Sequence, residues 1–331
     1  MGRSPDSSAT GRALAFAQAG AVDDAYRLLE QAVAAGDGMA AAVLADWRMS
    51  GQLVRRDIAA AQALYGRARE LGVDDAAGPY LALLASGAGG APRDWRGALE
   101  LLAAGRQDPA RSRQLALLGA MELTTAGEPL ALAPASALHE SPQIDAVPAF
   151  LSPDECRYLI DLARPRLQPS QVVDPRSGRL IHDPVRTASA AAFPLVLEDP
   201  VLHAINRRIA AATATSWAQG EPAQVLCYQP GEEYKLHSDA LPPGANQRIV
   251  TFLAALNDDY EGGETRFPAI DLAWRGRIGD ALVFRNVDAG GAADPAARHA
   301  GSAVRRGTKF LLSRWIRQHR LDLSGPPGKP F

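Results

Sequence analysis

The chain has 331 residues, of which 47% are hydrophobic and 22% charged, a composition typical of a globular protein long enough for two domains. Its 35 basic and 37 acidic residues give a net charge of −2, which excludes the strongly basic surface that a nucleic acid or an anionic membrane would require. Cys156 and Cys227 are the only cysteines, which excludes a disulfide framework and a thiolate metal site.

The first residues, Met1–Asp6, lead into an alanine-rich segment that lacks the apolar core and cleavage site of a signal peptide. No stretch reaches the roughly 18 apolar residues needed to span a bilayer. Two isolated cysteines also fit a reducing compartment. We therefore expect a cytoplasmic protein without a membrane partner.

Residues 11–105 contain a degenerate internal repeat. Asp57 and Asp94 stand where an N-cap would begin the second helix of a block. The glycines that end successive blocks lie 36 and 33 residues apart, at Gly36, Gly72 and Gly105. We predict helix pairs over residues 1–125, which resemble the Sel-one-like branch of tetratricopeptide-type repeats. Such arrays present a concave surface to partners or extended peptides; dimerisation and buttressing of the second domain are the alternatives.

Residues 126–143 are rich in Ala, Pro and Gly, and this change in composition predicts a linker. The second domain, residues 144–331, begins with a short strand and a helix. Ser152 is the predicted N-cap of this helix, with Pro153 at its first position and Glu155 completing a capping box.

From Gln224 onward, short apolar segments alternate with turns that contain Gly or Pro. This pattern predicts a mostly antiparallel double sheet. The fold class is accordingly α+β multidomain, with an α-helical repeat array followed by a sheet-rich domain.

Two candidate metal ligands lie close together in one predicted strand. Side chains alternate between the two faces of a strand, so His237 and Asp239 point to the same side. A third ligand must come from elsewhere in the chain, and His299 is the natural candidate. Two imidazoles and one carboxylate leave three positions of an octahedral ion open, which is the facial triad of non-haem Fe(II) oxygenases.

Lys309 follows His299 by ten residues and begins an apolar run, Phe310–Ile316, that predicts a strand. Lys309, Leu311 and Ser313 then share one face. A lysine at the mouth of an apolar pocket is suited to an acidic co-substrate.

The second domain resembles the prolyl 4-hydroxylase branch of the 2-oxoglutarate- and Fe(II)-dependent dioxygenases over about residues 144–318. Short segments carry the resemblance in the order found in that family: Val185–Ser189, Tyr228–Tyr234, His237–Asp239, Arg248–Leu253, Glu261–Thr265, Phe267–Pro268, Gly279–Phe284 and His299–Trp315. The resemblance implies a double-stranded β-helix, a relative of the jelly roll.

The resemblance also implies the chemistry. Fe(II) held by His237, Asp239 and His299 would be the catalytic centre, with 2-oxoglutarate and O₂ as co-substrates and ascorbate as an optional reductant. The reaction would yield succinate, CO₂ and a hydroxylated substrate.

Further residue roles follow from the same resemblance. Lys309 would pair with the distal carboxylate of 2-oxoglutarate, and the hydroxyl groups of Tyr228 and Thr251 would contact the same end. Tyr234 and Arg186 would line the substrate side.

The implied substrate is peptidyl proline, hydroxylated at the 4-position, with the repeats recruiting a peptide or protein. One alternative is a small-molecule or free amino acid hydroxylase whose repeats only form a homodimer. Another is a non-catalytic interaction protein that uses the helical repeats, although the intact set of metal ligands and Lys309 argues against it. We identify no collagen-like or other substrate-like tract in the chain itself.

Overall fold

The structure is a computed structural model that describes residues 8–173, 180–182 and 185–331, with the backbone alone at 171–173 and 180–182. None of the helices in these ranges is both long and apolar enough to cross a membrane. The α-helices are α1 (Ala9–Gln18), α2 (Val22–Ala34), α3 (Gly38–Ser50), α4 (Ile58–Glu70), α5 (Ala77–Ser86), α6 (Trp95–Ala104), α7 (Pro109–Ala120), α8 (Pro153–Ala163) and α9 (Pro200–Ala212).

Helices α1 to α7 form an array in which each helix packs against the next one along the chain. The predicted N-caps are confirmed, because the Asp57 carboxylate accepts a hydrogen bond from Ala60 N–H and the Asp94 carboxylate from Gly97 N–H. These caps satisfy amide groups that would otherwise lack a partner at each helix start. The helical nature of this region is therefore as expected, and the repeat type stays a prediction.

The second part of the chain forms antiparallel sheets. The main sheet has the strand order β1-β2-β13-β9-β16-β7-β6-β3 and the second sheet the order β12-β11-β14-β8. Two short pairs, β4 with β5 and β10 with β15, lie outside them. The strands are β1 (Ser136–Glu140), β2 (Gln143–Val147), β3 (Gln168–Pro169), β4 (Gln171–Val173), β5 (Leu180–His182), β6 (Ser189–Phe193), β7 (Ala223–Tyr228), β8 (Tyr234–His237), β9 (Arg248–Ala255), β10 (Glu261–Gly262), β11 (Thr265–Phe267), β12 (Leu272–Trp274), β13 (Ala281–Arg285), β14 (His299–Gly301), β15 (Val304–Arg306) and β16 (Lys309–Arg317).

The central strands of the main sheet are buried on both faces. On β16, Leu311 belongs to a hydrophobic cluster that also contains Phe267 of the second sheet, so this cluster lies between the sheets. The neighbouring residues Phe310 and Leu312 belong to a separate cluster on the other face. This alternation follows from the period of two in a strand. One face of β16 therefore points into the space between the sheets, and the other packs under helices.

The helical array and the sheet domain share the cluster that contains Phe310 and Leu312. Leu102 of α6 and Leu117 of α7 belong to it together with Ile205 of α9 and Val225 of β7. Charged groups at the surface add to this contact, since the Glu128 carboxylate accepts a hydrogen bond from the Arg207 guanidinium at 2.7 Å. The array is therefore part of the core that supports the main sheet.

The start of the second domain is partly as predicted. The capping box of α8 is confirmed, with Glu155 N–H donating to Ser152 Oγ at 3.2 Å and Ser152 N–H donating to the Glu155 carboxylate at 2.8 Å. Residues 136–140, expected in the linker, instead form β1 and pair with β2, which adds to the main sheet. Composition indicated a loop there, but residues 136–140 pair with the next strand in a hairpin, and β2 in turn pairs with β13.

The shared cluster predicts cooperative unfolding of the whole chain. Leu102 is fully buried, so Leu102→Ala should lower the free energy of unfolding by about 2–5 kcal/mol. Guanidinium unfolding followed by circular dichroism should show one transition in the parent and in the variant, because both parts of the chain lose the same contacts. Leu14→Ala, at a side chain that is 40% exposed, is the control and should change stability by less than about 0.5 kcal/mol. A separate, earlier transition of the helices would contradict this interpretation.

Candidate metal centre

Two strands of the second sheet bring the candidate ligands together. His237 ends β8, His299 begins β14, and the two residues lie directly opposite each other in the antiparallel pair. Asp239 follows β8 by two residues, and its two carboxylate oxygens lie 3.5 Å from His237 Nε2 and 3.6 Å from His299 Nε2. One ligand atom from each of the three residues lies within 4.8 Å of the others. Residues 62 positions apart in the sequence thus converge on one point.

The orientation of both imidazoles suits a metal ion. His237 Nδ1 lies 2.8 Å from the carbonyl oxygen of Lys235, and His299 Nδ1 lies 3.1 Å from that of Ala297. Because a carbonyl oxygen only accepts, each Nδ1 carries the hydrogen and each Nε2 presents a lone pair. His237 Nε2 is buried and has no hydrogen-bond partner within the described part of the chain. A buried acceptor without a partner is costly, and a cation between the three side chains would satisfy it.

The protonation states also fit. Burial raises the pKa of the Asp239 carboxyl, but the neighbouring imidazoles and the Thr251 hydroxyl outweigh this effect and hold the pKa well below its usual value. Burial lowers the pKa of His299 and favours its neutral form, against the opposing influence of Asp239. An ionised carboxylate and a neutral imidazole are the forms that bind metal. The donor set of two imidazoles and one carboxylate is the one that Fe(II) takes in oxygenases with open coordination positions.

Thr251 has a different position from the one expected. Its hydroxyl donates to the Asp239 carboxylate at 2.6 Å and accepts a hydrogen bond from the Asn286 amide at 2.9 Å. The side chain lies on β9 but does not line the cavity beside the three ligands. The expected hydrogen bond from Thr251 to the co-substrate is therefore not supported by this geometry. Thr251 instead fixes the orientation of a candidate ligand.

Lys309 and Tyr228 lie at one end of this cavity. They are direct partners in the pairing of β16 with β7, and the ammonium group lies 5.2 Å from the centre of the Tyr228 ring. Lys309 Nζ donates to the carbonyl oxygen of Gly263 at 2.7 Å. Burial lowers the pKa of Lys309 to about 8, against the opposing influence of Glu264. Burial raises the pKa of Tyr228, so the phenol is neutral.

The cavity itself is small. Its volume is about 30 Å³. The Lys309 ammonium group points to a backbone carbonyl oxygen that a carboxylate could replace as partner.

Tyr234 and Arg186 lie together beside His237. The Tyr234 ring stacks on the His237 ring with centroids 3.5 Å apart and an interplanar angle of 11°. Arg186 forms a β-bridge with Tyr234, and its guanidinium carbon lies 5.6 Å from the centre of the Tyr234 ring. The Tyr234 ring therefore contacts a candidate ligand directly.

Several cavity residues were missed by the sequence analysis. Trp315 and Thr265 line the cavity, and the indole nitrogen Nε1 of Trp315 is buried without a hydrogen-bond partner among the described residues. The alternation that placed Lys309, Leu311 and Ser313 on one face of β16 extends to Trp315, so this signal was available. Thr265 comes from another sheet, and no local pattern indicated it.

Comparison with known proteins identifies relatives of this domain. The sequence profile described as 2OG-Fe(II) oxygenase superfamily matches residues 223–317. The chain is 39% identical over 197 residues to "Prolyl 4-hydroxylase 1" of Arabidopsis thaliana, which covers 54% of this chain and 70% of that protein. It is 35% identical over 194 residues to "Probable prolyl 4-hydroxylase 10" of the same plant, covering 51% of this chain and 67% of that protein. Among solved structures, the viral collagen prolyl hydroxylase of Paramecium Bursaria Chlorella virus-1, in complex with 2OG, is 25% identical, with a TM-score of 0.43 and coverage of 53% of this chain and 95% of that one.

The position of Thr251 predicts a defect in metal binding. Thr251→Val removes the hydroxyl that orients Asp239 at nearly constant volume, and loss of such an outer hydrogen bond typically weakens metal binding about 10- to 100-fold. Anaerobic Fe(II) titration should show this loss, while the affinity for 2-oxoglutarate at saturating metal should remain unchanged.

Two variants calibrate this measurement. Asp239→Ala should abolish Fe(II) binding, and His139→Ala should leave it unaltered because the His139 imidazole is bonded to the Pro142 carbonyl. Normal Fe(II) affinity with weaker 2-oxoglutarate binding in Thr251→Val would restore the original expectation for this residue.

Proposed function

Since the chain belongs to the prolyl 4-hydroxylase family of 2-oxoglutarate- and Fe(II)-dependent dioxygenases, we propose that it hydroxylates prolyl residues of a peptide or protein. Its enzyme class is 2-oxoglutarate-dependent dioxygenase, and its cofactors are Fe(II) and 2-oxoglutarate. The observation that best supports the proposal is the convergence of His237, Asp239 and His299 beside a cavity with Lys309 at its end.

We assign the iron to the two Nε2 atoms and the Asp239 carboxylate. When bound, iron would supply the oxidative decarboxylation of 2-oxoglutarate by O₂ to succinate and CO₂, coupled to the insertion of one oxygen atom of O₂ into an unactivated C–H bond of the substrate. The protein contributes the geometry. The backbone carbonyl groups bonded to both Nδ1 atoms fix the imidazole rings, and Thr251 fixes Asp239, so the ligands need little reorganisation when metal binds.

Lys309 is assigned to the distal carboxylate of 2-oxoglutarate. The residue is 4% exposed, and in such a poorly solvated place an ion pair is stronger than in water. The Gly263 carbonyl now stabilises this charge; a carboxylate would replace that neutral partner by a charged one. Tyr228, against the same ammonium group, is assigned to the same end of the co-substrate.

The substrate side is assigned to Tyr234, Arg186 and Trp315. Tyr234 and Trp315 line the cavity, and aromatic side chains suit contact with the ring of a prolyl residue. The buried indole N–H of Trp315 provides an unused donor for a peptide carbonyl.

Recruitment of peptide by the helical array is part of the proposal. The array shares its core with the sheet domain, so deleting residues 1–125 would expose apolar surface of the sheet domain. A loss of activity in that variant would then follow equally from lost peptide recruitment and from misfolding. Substitutions on the surface of the array are the better test. Ascorbate as reductant, homodimer formation and cytoplasmic location stay predictions.

Lys309→Ala should raise the dissociation constant for 2-oxoglutarate about 10- to 100-fold, because a charge-assisted hydrogen bond is lost, and should leave Fe(II) binding unchanged. Isothermal titration of the metal-loaded protein measures both. Lys235→Ala removes an exposed lysine and serves as the control.

The pH dependence of 2-oxoglutarate binding is a second test of Lys309. In the parent, 2-oxoglutarate affinity should fall about tenfold per pH unit above about 8, because Lys309 loses its proton there. The Lys309→Ala variant should lack this dependence. A parent profile that is flat from pH 7 to 9.5 would assign the carboxylate to another cation.

Mass spectrometry of hydroxylated products identifies the substrate class. We expect incubation of the protein with Fe(II), 2-oxoglutarate and a peptide pool from a cell extract to add one oxygen atom to prolyl residues, with one succinate formed per hydroxylation. The His299→Ala variant is the matched control and should give neither product. Oxygen added only to free amino acids or metabolites in a parallel pool would favour the small-molecule alternative and reject the peptide substrate.

A further inference from the structure

A proline-rich segment of the chain lies on the helical array. Residues 325–331 read Gly-Pro-Pro-Gly-Lys-Pro-Phe, a tract that the sequence analysis overlooked. The Phe331 ring stacks on Tyr26 of α2, with centroids 4.1 Å apart and an interplanar angle of 11°. The backbone N–H of Arg55 donates to the carbonyl oxygen of Pro330 at 2.8 Å. The array therefore contacts both the backbone and a side chain of this segment.

The array is shaped for close approach of this segment. Gly51 ends α3 with φ +69°, and a Cβ atom there would lie 2.8 Å from Cβ of Arg56 and 3.3 Å from Cδ of Pro326. A Cβ on Gly325 of the segment would lie 2.7 Å from Cβ of Arg56, which is closer than Cβ atoms normally approach. The Pro326 ring thus lies against Gly51, and the segment approaches Arg56 closely because residue 325 has no side chain. We call Tyr26, Arg48, Gly51, Arg55 and Arg56 the array groove.

The groove is held in place by its own contacts. Arg48 donates to the Tyr26 hydroxyl, and its guanidinium carbon lies 5.2 Å from the centre of the Tyr26 ring. Tyr26 also belongs to a hydrophobic cluster made of array residues such as Leu29 and Leu44, so contacts within the array hold its ring in place. Arg56 Nε is buried without a hydrogen-bond partner among the described residues, which leaves one donor for a carbonyl group of a ligand.

The proline-rich segment is held more loosely than the groove. Gly325 and Pro326 are half-buried, but the residues from Pro327 to Phe331 are exposed, and Phe331 keeps 39% of its surface accessible. One backbone hydrogen bond and one ring stack are modest contacts. A second peptide with the same features could displace the segment without unfolding the array.

We propose that the array groove is a binding site for proline-rich peptides, and that residues 325–331 occupy it as an intramolecular ligand which a substrate peptide displaces. This inference rests on the proposed function, because a prolyl hydroxylase has to select segments of this composition. The groove recognises a proline ring at Gly51, a backbone carbonyl at Arg55 N–H and an aromatic ring at Tyr26. An attached ligand competes at a high effective concentration, on the order of millimolar, so the segment also limits access.

A binding assay without iron or 2-oxoglutarate tests the groove alone. The probe is a fluorescein-labelled synthetic peptide with the sequence of residues 322–331, followed by anisotropy. A chain that ends at Ser324 should bind this probe at least tenfold more tightly than the full chain, because the competing segment is gone. A probe with Ala in place of Pro326, Pro327 and Pro330 should bind at least tenfold more weakly.

Matched variants of the shortened chain locate the site. Tyr26→Ala should weaken binding of the probe at least tenfold, whereas Tyr26→Phe should retain it because the ring remains. Met39→Ala removes a different exposed side chain of the array, 55% accessible, and should have no effect. If the shortened chain does not fold, Phe331→Ala in the full chain loosens the segment and should bind the probe more tightly than the parent.

Two results would overturn the inference. The first is that neither the shortened chain nor Phe331→Ala binds the probe more tightly than the full chain, which would make the segment a structural strap. The second is that Tyr26→Ala binds as well as its parent. Succinate formation with peptide substrates is measured separately, so peptide turnover without groove binding would reject this inference alone, and groove binding without turnover would reject the proposed function alone.

Discussion

The pairing of β8 with β14 is the constraint on which the candidate site depends. It places His299 directly opposite His237, and Asp239 follows on the same side. Side chains alternate between faces, so a shift of one residue in this register would turn one imidazole away from the other. Neither the carbonyl-bonded imidazoles nor the Thr251 contact could compensate for that. The rest of the sheet domain can be understood as the support that holds this one register.

The two faces of the main sheet have different surroundings. The main sheet faces the cavity on one side and a hydrophobic cluster on the other, and helices of the array contribute to that cluster. Strand β16 joins the two layers, because Lys309 and Leu311 face the cavity whereas Phe310 and Leu312 face the helices. The familiar picture of an oxygenase with a separate recruitment module therefore fits this chain poorly. The strand that carries Lys309 packs in the same cluster as helices of the array.

The same arrangement gives the helices more than one contact with the rest of the chain. After β16 the chain returns over the array, where Leu323 packs beside the cluster formed by α3, α4 and α5. An apolar cavity of about 580 Å³ lies along this path, between array helices, the sheet domain and the returning chain. The array thus meets the catalytic domain through a core on one side and through a loosely held segment on another. The second contact is the more exposed one, and it is the contact that we propose a peptide displaces.

The sequence by itself determined features that depend on near neighbours. The Asp and Ser N-caps, the helix pairs, the shared face of His237 and Asp239, and the position of Lys309 on an apolar strand all follow from a period of 3.6 or 2 and from local hydrogen bonds. Only the tertiary structure decided which distant groups meet. It turned Thr251 toward Asp239, joined the hairpin of β1 and β2 to β13, brought Thr265 and Trp315 to the cavity, and laid a proline-rich segment on Tyr26. These contacts depend on strand register and on packing between residues far apart in the chain, for which a local pattern carries no signal.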